Sequence, residues 1–237
     1  MKTKILVAGI GGVGGWFGGL LAKSFSASDA VDIYFLARGK HLQRIQQDGL
    51  KVIKGDETFI VKPKIASDNP TEFGEVDYIL LCSKSYDLEE TMQQLMPCIG
   101  AETIIIPFLN GVESPEKISA LLPQNLVVGG CVYIVSSIKE YGIVQNVGNI
   151  QTLYFGLDNS TNDKLISLEQ IFLQANIEAT RTQNMSAVMW EKFHLVAANS
   201  TATSYYNNTT GEILEDETKS AFLLGQPIIL GSRNKVI

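Results

Sequence analysis

The segment Gly9-Ile10-Gly11-Gly12-Val13-Gly14 has the spacing G-x-G-x-x-G, at the end of an apolar run and the start of a helix-compatible stretch. In that setting the first glycine makes a tight turn, the second lets the backbone approach a pyrophosphate, and the third lets helix pack on strand. The helix would offer unpaired N–H groups and the positive end of its dipole to phosphate oxygens. A merely structural glycine turn is the plainer alternative. Further along, Leu36-Ala37-Arg38-Gly39-Lys40 stands where a site for the unphosphorylated dinucleotide would carry Asp or Glu. With no carboxylate there, Arg38 can fork onto a ribose 2′-phosphate, with Lys40 and His41 adding charge nearby, unless it is a solvated surface arginine. Together the two segments predict a preference for NADP(H) over NAD(H).

Other polar residues stand out by position. Lys84 and Asn110 each follow a strand-like run, at the edge where open α/β sheets bind ligands, although either could be an ordinary loop residue. Lys192 lies in the otherwise apolar stretch 188–193, and on its own reads first as a surface lysine paired with Glu191 or a neighbouring turn. His194 points to another side of the same helix and reads as a packing or surface residue.

These groups need a scaffold that gathers them. Residues 4–9 (KILVAG), Val31–Leu36, 76–82 and 103–107 are short apolar runs, as strands buried on both faces are. Between them 13–24, 41–47 and the amphipathic 88–96 read as helices, and 126–135 is a further β-rich run. Strand, helix and strand at this spacing imply parallel pairing through right-handed crossovers, hence an α/β, Rossmann-type doubly wound sheet. From 141 to 180 the pattern loosens into shorter β segments around one helix, Asp163–Gln174. Met185–Tyr206 reads as one long helix, and the residues after Gly211 as helical until Pro227. The expected division is 1–183, an NADP(H)-binding domain, and 184–237, an incomplete α-helical substrate and dimerisation domain, hinged near Gln183.

Composition narrows the rest. Of 237 residues, 45% are hydrophobic and 19% charged, as in soluble globular proteins. A net charge of −6 with no run of Lys and Arg argues against a nucleic-acid surface or a polybasic membrane patch. Cys82, Cys98 and Cys131 are widely spaced and there are two histidines, which supports neither a disulfide framework nor a metal site. Lys2 and Lys4 before an apolar run resemble a secretory signal, but seven glycines between positions 9 and 19 are too many for a signal helix. No stretch reaches the roughly 18 apolar residues of a membrane span. A cytoplasmic protein is expected.

Taken in order, six segments resemble the ketopantoate reductase (2-dehydropantoate 2-reductase) family. They are the glycine turn, Arg38-Gly39-Lys40-His41-Leu42, Cys82-Ser83-Lys84, Leu109-Asn110-Gly111-Val112-Glu113, Trp190-Glu191-Lys192-Phe193 and Thr210-Gly211-Glu212-Ile213, together spanning residues 1 to about 215. The resemblance implies an NADPH-dependent oxidoreductase that reduces 2-dehydropantoate to pantoate in pantothenate and coenzyme A synthesis. It implies coenzyme contacts from Gly9, Gly11, Gly12, Val13, Gly14, Arg38, Lys84 and Asn110, the last also meeting substrate. It further implies that Lys192 is the general acid that protonates the ketone oxygen as hydride reaches carbon, a role that suits a protonated amine.

Two departures qualify that expectation. The family's asparagines one and two turns beyond the catalytic lysine are Val196 and Ser200 here. Ser200 and the neighbouring Asn199 can still hydrogen-bond substrate; Val196 cannot. The chain also stops at Ile237, after Gly231-Ser232-Arg233-Asn234-Lys235, short of the helices whose serine and glutamate complete the family's pocket. A truncated or frame-shifted product, or cover by a second copy in a homodimer, would account for this. The alternatives to ketopantoate reduction are a reductase of another small 2-oxo acid and a catalytically dead NADP-binding protein.

Overall fold

The computed structural model describes residues 2–229. The chain opens with β1 (Thr3–Ala8), α1 (Gly12–Ser24), β2 (Val31–Leu36) and α2 (Gly39–Asp48). β3 (Leu50–Lys54), β4 (Glu57–Val61) and β5 (Ile65–Ser67) follow, then β6 (Val76–Leu81), α3 (Leu88–Leu95), β7 (Ile99–Pro107) and α4 (Ser114–Leu121). β8 (Leu126–Val127), β9 (Gly129–Glu140) and β10 (Ile143–Gly156) precede α5 (Asp163–Gln174) and β11 (Ala179–Thr182). Among the described residues three helices follow: α6 (Met185–Tyr206), α7 (Thr210–Glu215) and α8 (Glu217–Ile229).

The chain divides into two compact units, Met1–Ser186 and a second that begins at Ala187. In the first, six strands pair in parallel in the order β5-β2-β1-β6-β7-β8. The apolar runs of the sequence are its central strands, and Ile5, Leu6, Val7 and Ala8 of β1 are wholly inaccessible to solvent, as a strand covered on both faces requires. This is the α/β, Rossmann-type fold.

A second, mixed sheet was not foreseen. Its order is β11-β10-β3-β4, with β9 antiparallel to β10, and it covers the outer side of α1. The helix is thin because it is sandwiched. At Gly15 a Cβ would come within 2.5 Å of Val144 Cγ2 on β10, while at Gly18 it would meet Phe35 and Val7 of the first sheet at 3.0 and 3.2 Å. One core therefore runs through both sheets, from Val7 and Phe35 past Phe17 to Val52, Val144 and Phe155.

The region expected to hold only short β segments contains the 14-residue β10, whose pairing with β9 shifts register between Asn146 and Gln151. That irregularity interrupts the alternation by which a strand is recognised. Helix α6 starts on a carboxylate: the Ser186 N–H and hydroxyl both donate to Asp158, the former at 3.0 Å.

In the second unit Ala198, Ala202, Ile213 and Leu223 form a small core packed by Tyr206. Thr209 and Glu212 close a capping box on α7. Asp216 then divides what was expected to be one helical stretch, its Oδ1 accepting the N–H groups of Thr218 and Lys219 at 3.0 and 3.1 Å. Helix α8 continues through position 227 to Ile229 instead of stopping at the proline. The stretch 231–235 lies outside the described residues. Among the described residues, no helix is long and apolar enough to cross a membrane.

Candidate functional site

At the end of β1, Gly9 turns the chain with φ +100°, a conformation that L side chains rarely adopt. The turn lies flush on the segment leaving β6, because a Cβ on Gly9 would stand 2.9 Å from the Cys82 carbonyl. Gly11 is the N-cap of α1 and supplies no capping side chain. The first intrahelical bond runs from the Gly15 N–H to the Gly11 carbonyl at 2.8 Å, so the N–H groups of Gly12, Val13 and Gly14 have no intrahelical acceptor.

The glycines differ in what they achieve. A Cβ on Gly12 would overlap the Ser136 carbonyl oxygen of β9, and Ser136 Oγ in turn donates to the Gly12 carbonyl at 3.0 Å. A Cβ on Gly14 would overlap the Gly9 carbonyl. On Gly11 it would meet nothing within 4 Å. Gly12 and Gly14 are thus required by packing, whereas Gly11 keeps space open beside the helix N-terminus.

That space is part of a cleft of about 320 Å³ lined by Gly9, Gly11, Arg38, His41, Ser83 and Lys84, among others. Arg38 caps α2 from an extended backbone, and its side chain is 84% exposed. Lys84 is exposed at the cleft, where it begins the 3₁₀ turn Ser85–Asp87. Asn110 is exposed in the loop after β7, a strand whose Pro107 pairs with Leu81 of β6. The carboxyl ends of β1, β6 and β7 thereby bring Gly9, Lys84 and Asn110 to one edge of the sheet. Among the described residues no group of three or more His, Cys, Asp and Glu side chains could hold a metal ion.

Three findings correct the sequence reading. First, the cleft is not free of carboxylates, since Asp68 and Asp87 both line it. β5 pairs with β2, and the Ala37 N–H donates to the Ser67 carbonyl at 3.1 Å, which delivers Asp68 beside Arg38. Asp87 arrives from the turn after β6 and accepts from the Arg38 guanidinium at 3.5 Å. Both carboxylates are distant from Arg38 along the chain.

Second, His41 adds no charge. It is buried, and its Nδ1 accepts the Gly142 N–H at 2.9 Å, which requires that nitrogen to be unprotonated. Burial lowers its pKa, opposed in part by the Ile10 carbonyl facing the ring. Third, Ser83 was passed over. Its Oγ is buried in the cleft wall without a hydrogen-bond partner, although a hydroxyl at the carboxyl end of a central strand could have been noticed. Next to it, burial pushes the Cys82 thiol above its ordinary range.

A larger hollow of about 760 Å³ lies beside the β9–β10 turn, lined by Arg44, Lys51, Tyr141 and Ile143 among others. It is more open and holds none of the motif residues. The smaller cleft fits a dinucleotide better, with unpaired helix N–H groups, open space at Gly11, a partnerless hydroxyl and two cations.

In the second unit, α6 carries Lys192 and Asn199, both half-buried, and Ser200, which is exposed. Seven residues separate Lys192 from Asn199, so they project from one face to within roughly 20°. Thr210 Oγ1 donates to Asn199 Oδ1 at 2.9 Å, tying that face to the start of α7. The ring of His194 packs against those of Trp190 and Phe193, with centroids 5.8 and 6.4 Å away.

A family model described as ketopantoate reductase PanE/ApbA matches residues 5–160. An uncharacterized oxidoreductase of Bacillus subtilis, YkpB, is 30% identical over 217 residues, which cover 90% of this chain and 69% of that protein. The 2-dehydropantoate 2-reductase of Halobacterium salinarum is 25% identical over 214 residues, covering 90% of this chain and 68% of its own length. Among solved structures, 2-dehydropantoate 2-reductase from Porphyromonas gingivalis is similar with a TM-score of 0.88 at 34% identity, over 95% of this chain and 79% of that one.

Proposed function

The chain belongs to the ketopantoate reductase PanE/ApbA family, one of NAD(P)-dependent oxidoreductases, and from that premise we propose that it reduces 2-dehydropantoate to pantoate with NADPH. The reaction would serve pantothenate and coenzyme A synthesis in the cytoplasm. The observation that carries the coenzyme half is the open space at Gly11, between unpaired helix N–H groups and a cleft edged by Arg38.

The residues divide the work as follows. The N-terminus of α1, through Gly11, Gly12, Val13 and Gly14, holds the pyrophosphate by its N–H groups and dipole. Arg38 turns from Asp87 to the 2′-phosphate. An exposed ion pair at 3.5 Å is worth less than about 1 kcal/mol, so a dianionic phosphate displaces it easily. Lys84 adds positive charge at the cleft, and Asn110 supplies hydrogen bonds to coenzyme and substrate. The reduced nicotinamide, when bound, supplies the hydride. Lys192 donates the proton to the ketone oxygen, while Asn199 and Ser200 hold the substrate's polar groups. In this reading 1–183 binds coenzyme and 184–237 binds substrate.

Val196, apolar where the family carries an asparagine, favours a second reading in which the substrate is another small 2-oxo acid. The test is oxidation of NADPH by the purified chain, followed at the nicotinamide absorbance, with 2-dehydropantoate and with a panel of other 2-oxo acids. Turnover of 2-dehydropantoate is expected. Turnover of a different acid alone would move the assignment to the second reading, and coenzyme binding with no turnover would leave a dead NADP-binding protein.

A further inference from the structure

The cleft wall holds a polar atom for which the fold has no use. Ser83 follows Cys82 where the chain leaves β6, and its Oγ is buried without a hydrogen-bond partner. The backbone there is fixed. The Cys82 N–H donates to the Ala8 carbonyl at 2.8 Å, and a Cβ on Gly9 would lie 3.0 Å from the Ser83 nitrogen. Ser83 therefore borders the same turn that opens at Gly11, and both line the cleft.

A hydroxyl can donate one hydrogen bond and accept two, and burying one with no partner costs the folded chain free energy. Such a cost persists without purpose in a core, but on a cleft wall it is recovered when a ligand brings the partner. Resting on the dinucleotide reading of this cleft, we propose that Ser83 Oγ is a coenzyme-binding group that hydrogen-bonds the diphosphate–ribose stretch of a pyridine dinucleotide seated between Gly9, Gly11 and Ser83. Lys84 beside it contributes charge, whereas Ser83 contributes direction, fixing where along the turn the diphosphate sits.

A structural serine and a ligand-binding serine respond to deletion with opposite signs. Removing a hydroxyl that holds the fold together lowers stability, while removing an orphaned one does not. The experiment measures Ser83→Ala against the unaltered chain in two ways: melting temperature without ligand, and Kd for NADPH from nicotinamide fluorescence. The expected result is an unliganded Tm equal to or above that of the unaltered chain, with Kd raised about 3- to 10-fold. A variant that melts several degrees lower without ligand, or that binds NADPH within twofold of the unaltered chain, overturns the inference alone. An unaltered chain that binds neither NADPH nor NADH overturns the coenzyme reading and this inference with it.

Discussion

The Arg38 guanidinium faces a choice between Asp87, 3.5 Å away, and whatever anion enters the cleft. Replacing it by alanine should weaken NADPH about 10- to 100-fold and NADH by no more than about threefold, since only the former brings a 2′-phosphate for the fork to grip. Asp87→Asn should act in the opposite direction, tightening NADPH a few-fold by freeing Arg38 and removing a like charge. Parallel titrations of both variants with both coenzymes check this, and equal losses for the two coenzymes would end the argument. For the chemical step, Lys192→Ala should lower kcat by about 10²- to 10⁴-fold. A variant retaining full rate would remove the lysine from the mechanism. At this scale the sequence revealed what lies within one motif. Gly9, Gly11 and Arg38 were readable because spacing alone brings them to the ends of β1 and β2. Asp68 and Asp87 were not, because strand pairing and a distant turn deliver them, and neither leaves a local signal near Arg38.

Elements were readable where a short apolar run, an apolar stripe or sheer length marks them. Val31–Leu36 is apolar apart from Asp32, Asp163–Gln174 carries an apolar stripe, and Met185–Tyr206 is a long stretch without Gly or Pro; the strand and two helices occupy those residues. The β3–β4 hairpin escaped notice because its strands are only partly buried and alternate weakly on either side of Gly55. Without that hairpin there was no second sheet to expect, and hence no reason for so many glycines along α1. A pair of substitutions separates the two causes. Gly12→Ala pushes a methyl into the Ser136 carbonyl and should cost at least about 2 kcal/mol in urea unfolding, with α1 displaced from β9. Gly11→Ala meets no protein atom and loses only a favourable N-cap residue, less than about 1 kcal/mol, yet its methyl projects into the open space and should weaken coenzyme binding by tenfold or more. If the two variants lost stability equally, the distinction between a packing glycine and a ligand glycine would fail.

Across the molecule, His41 joins parts of the first unit that lie far apart in sequence. It belongs to α2, lines the cleft, faces the Ile10 carbonyl in the glycine turn, and accepts the Gly142 N–H from the turn between β9 and β10. Protonation would remove the acceptor and bury a charge, so the folded chain resists it and the pKa lies below the ordinary 6.5. The unfolded chain takes up that proton near pH 6.5, the folded chain only at lower pH. The contribution of His41 to stability is therefore complete above about pH 6.5 and is lost as pH falls from there through the lower folded value. Carboxylates held below their ordinary range, such as Asp158 with its Ser186 donors and Asp216 with its backbone donors, make their contribution above their unfolded pKa and lose it only as pH falls through their lower folded values, beneath this window. Urea unfolding at about pH 7.5 and about pH 5.5 should thus show a lower midpoint at the acid value for the unaltered chain, and a markedly smaller fall for His41→Gln, which cannot titrate. Identical falls in the two proteins would mean that the imidazole is not the group linking acid to the loss of the glycine turn and the second sheet.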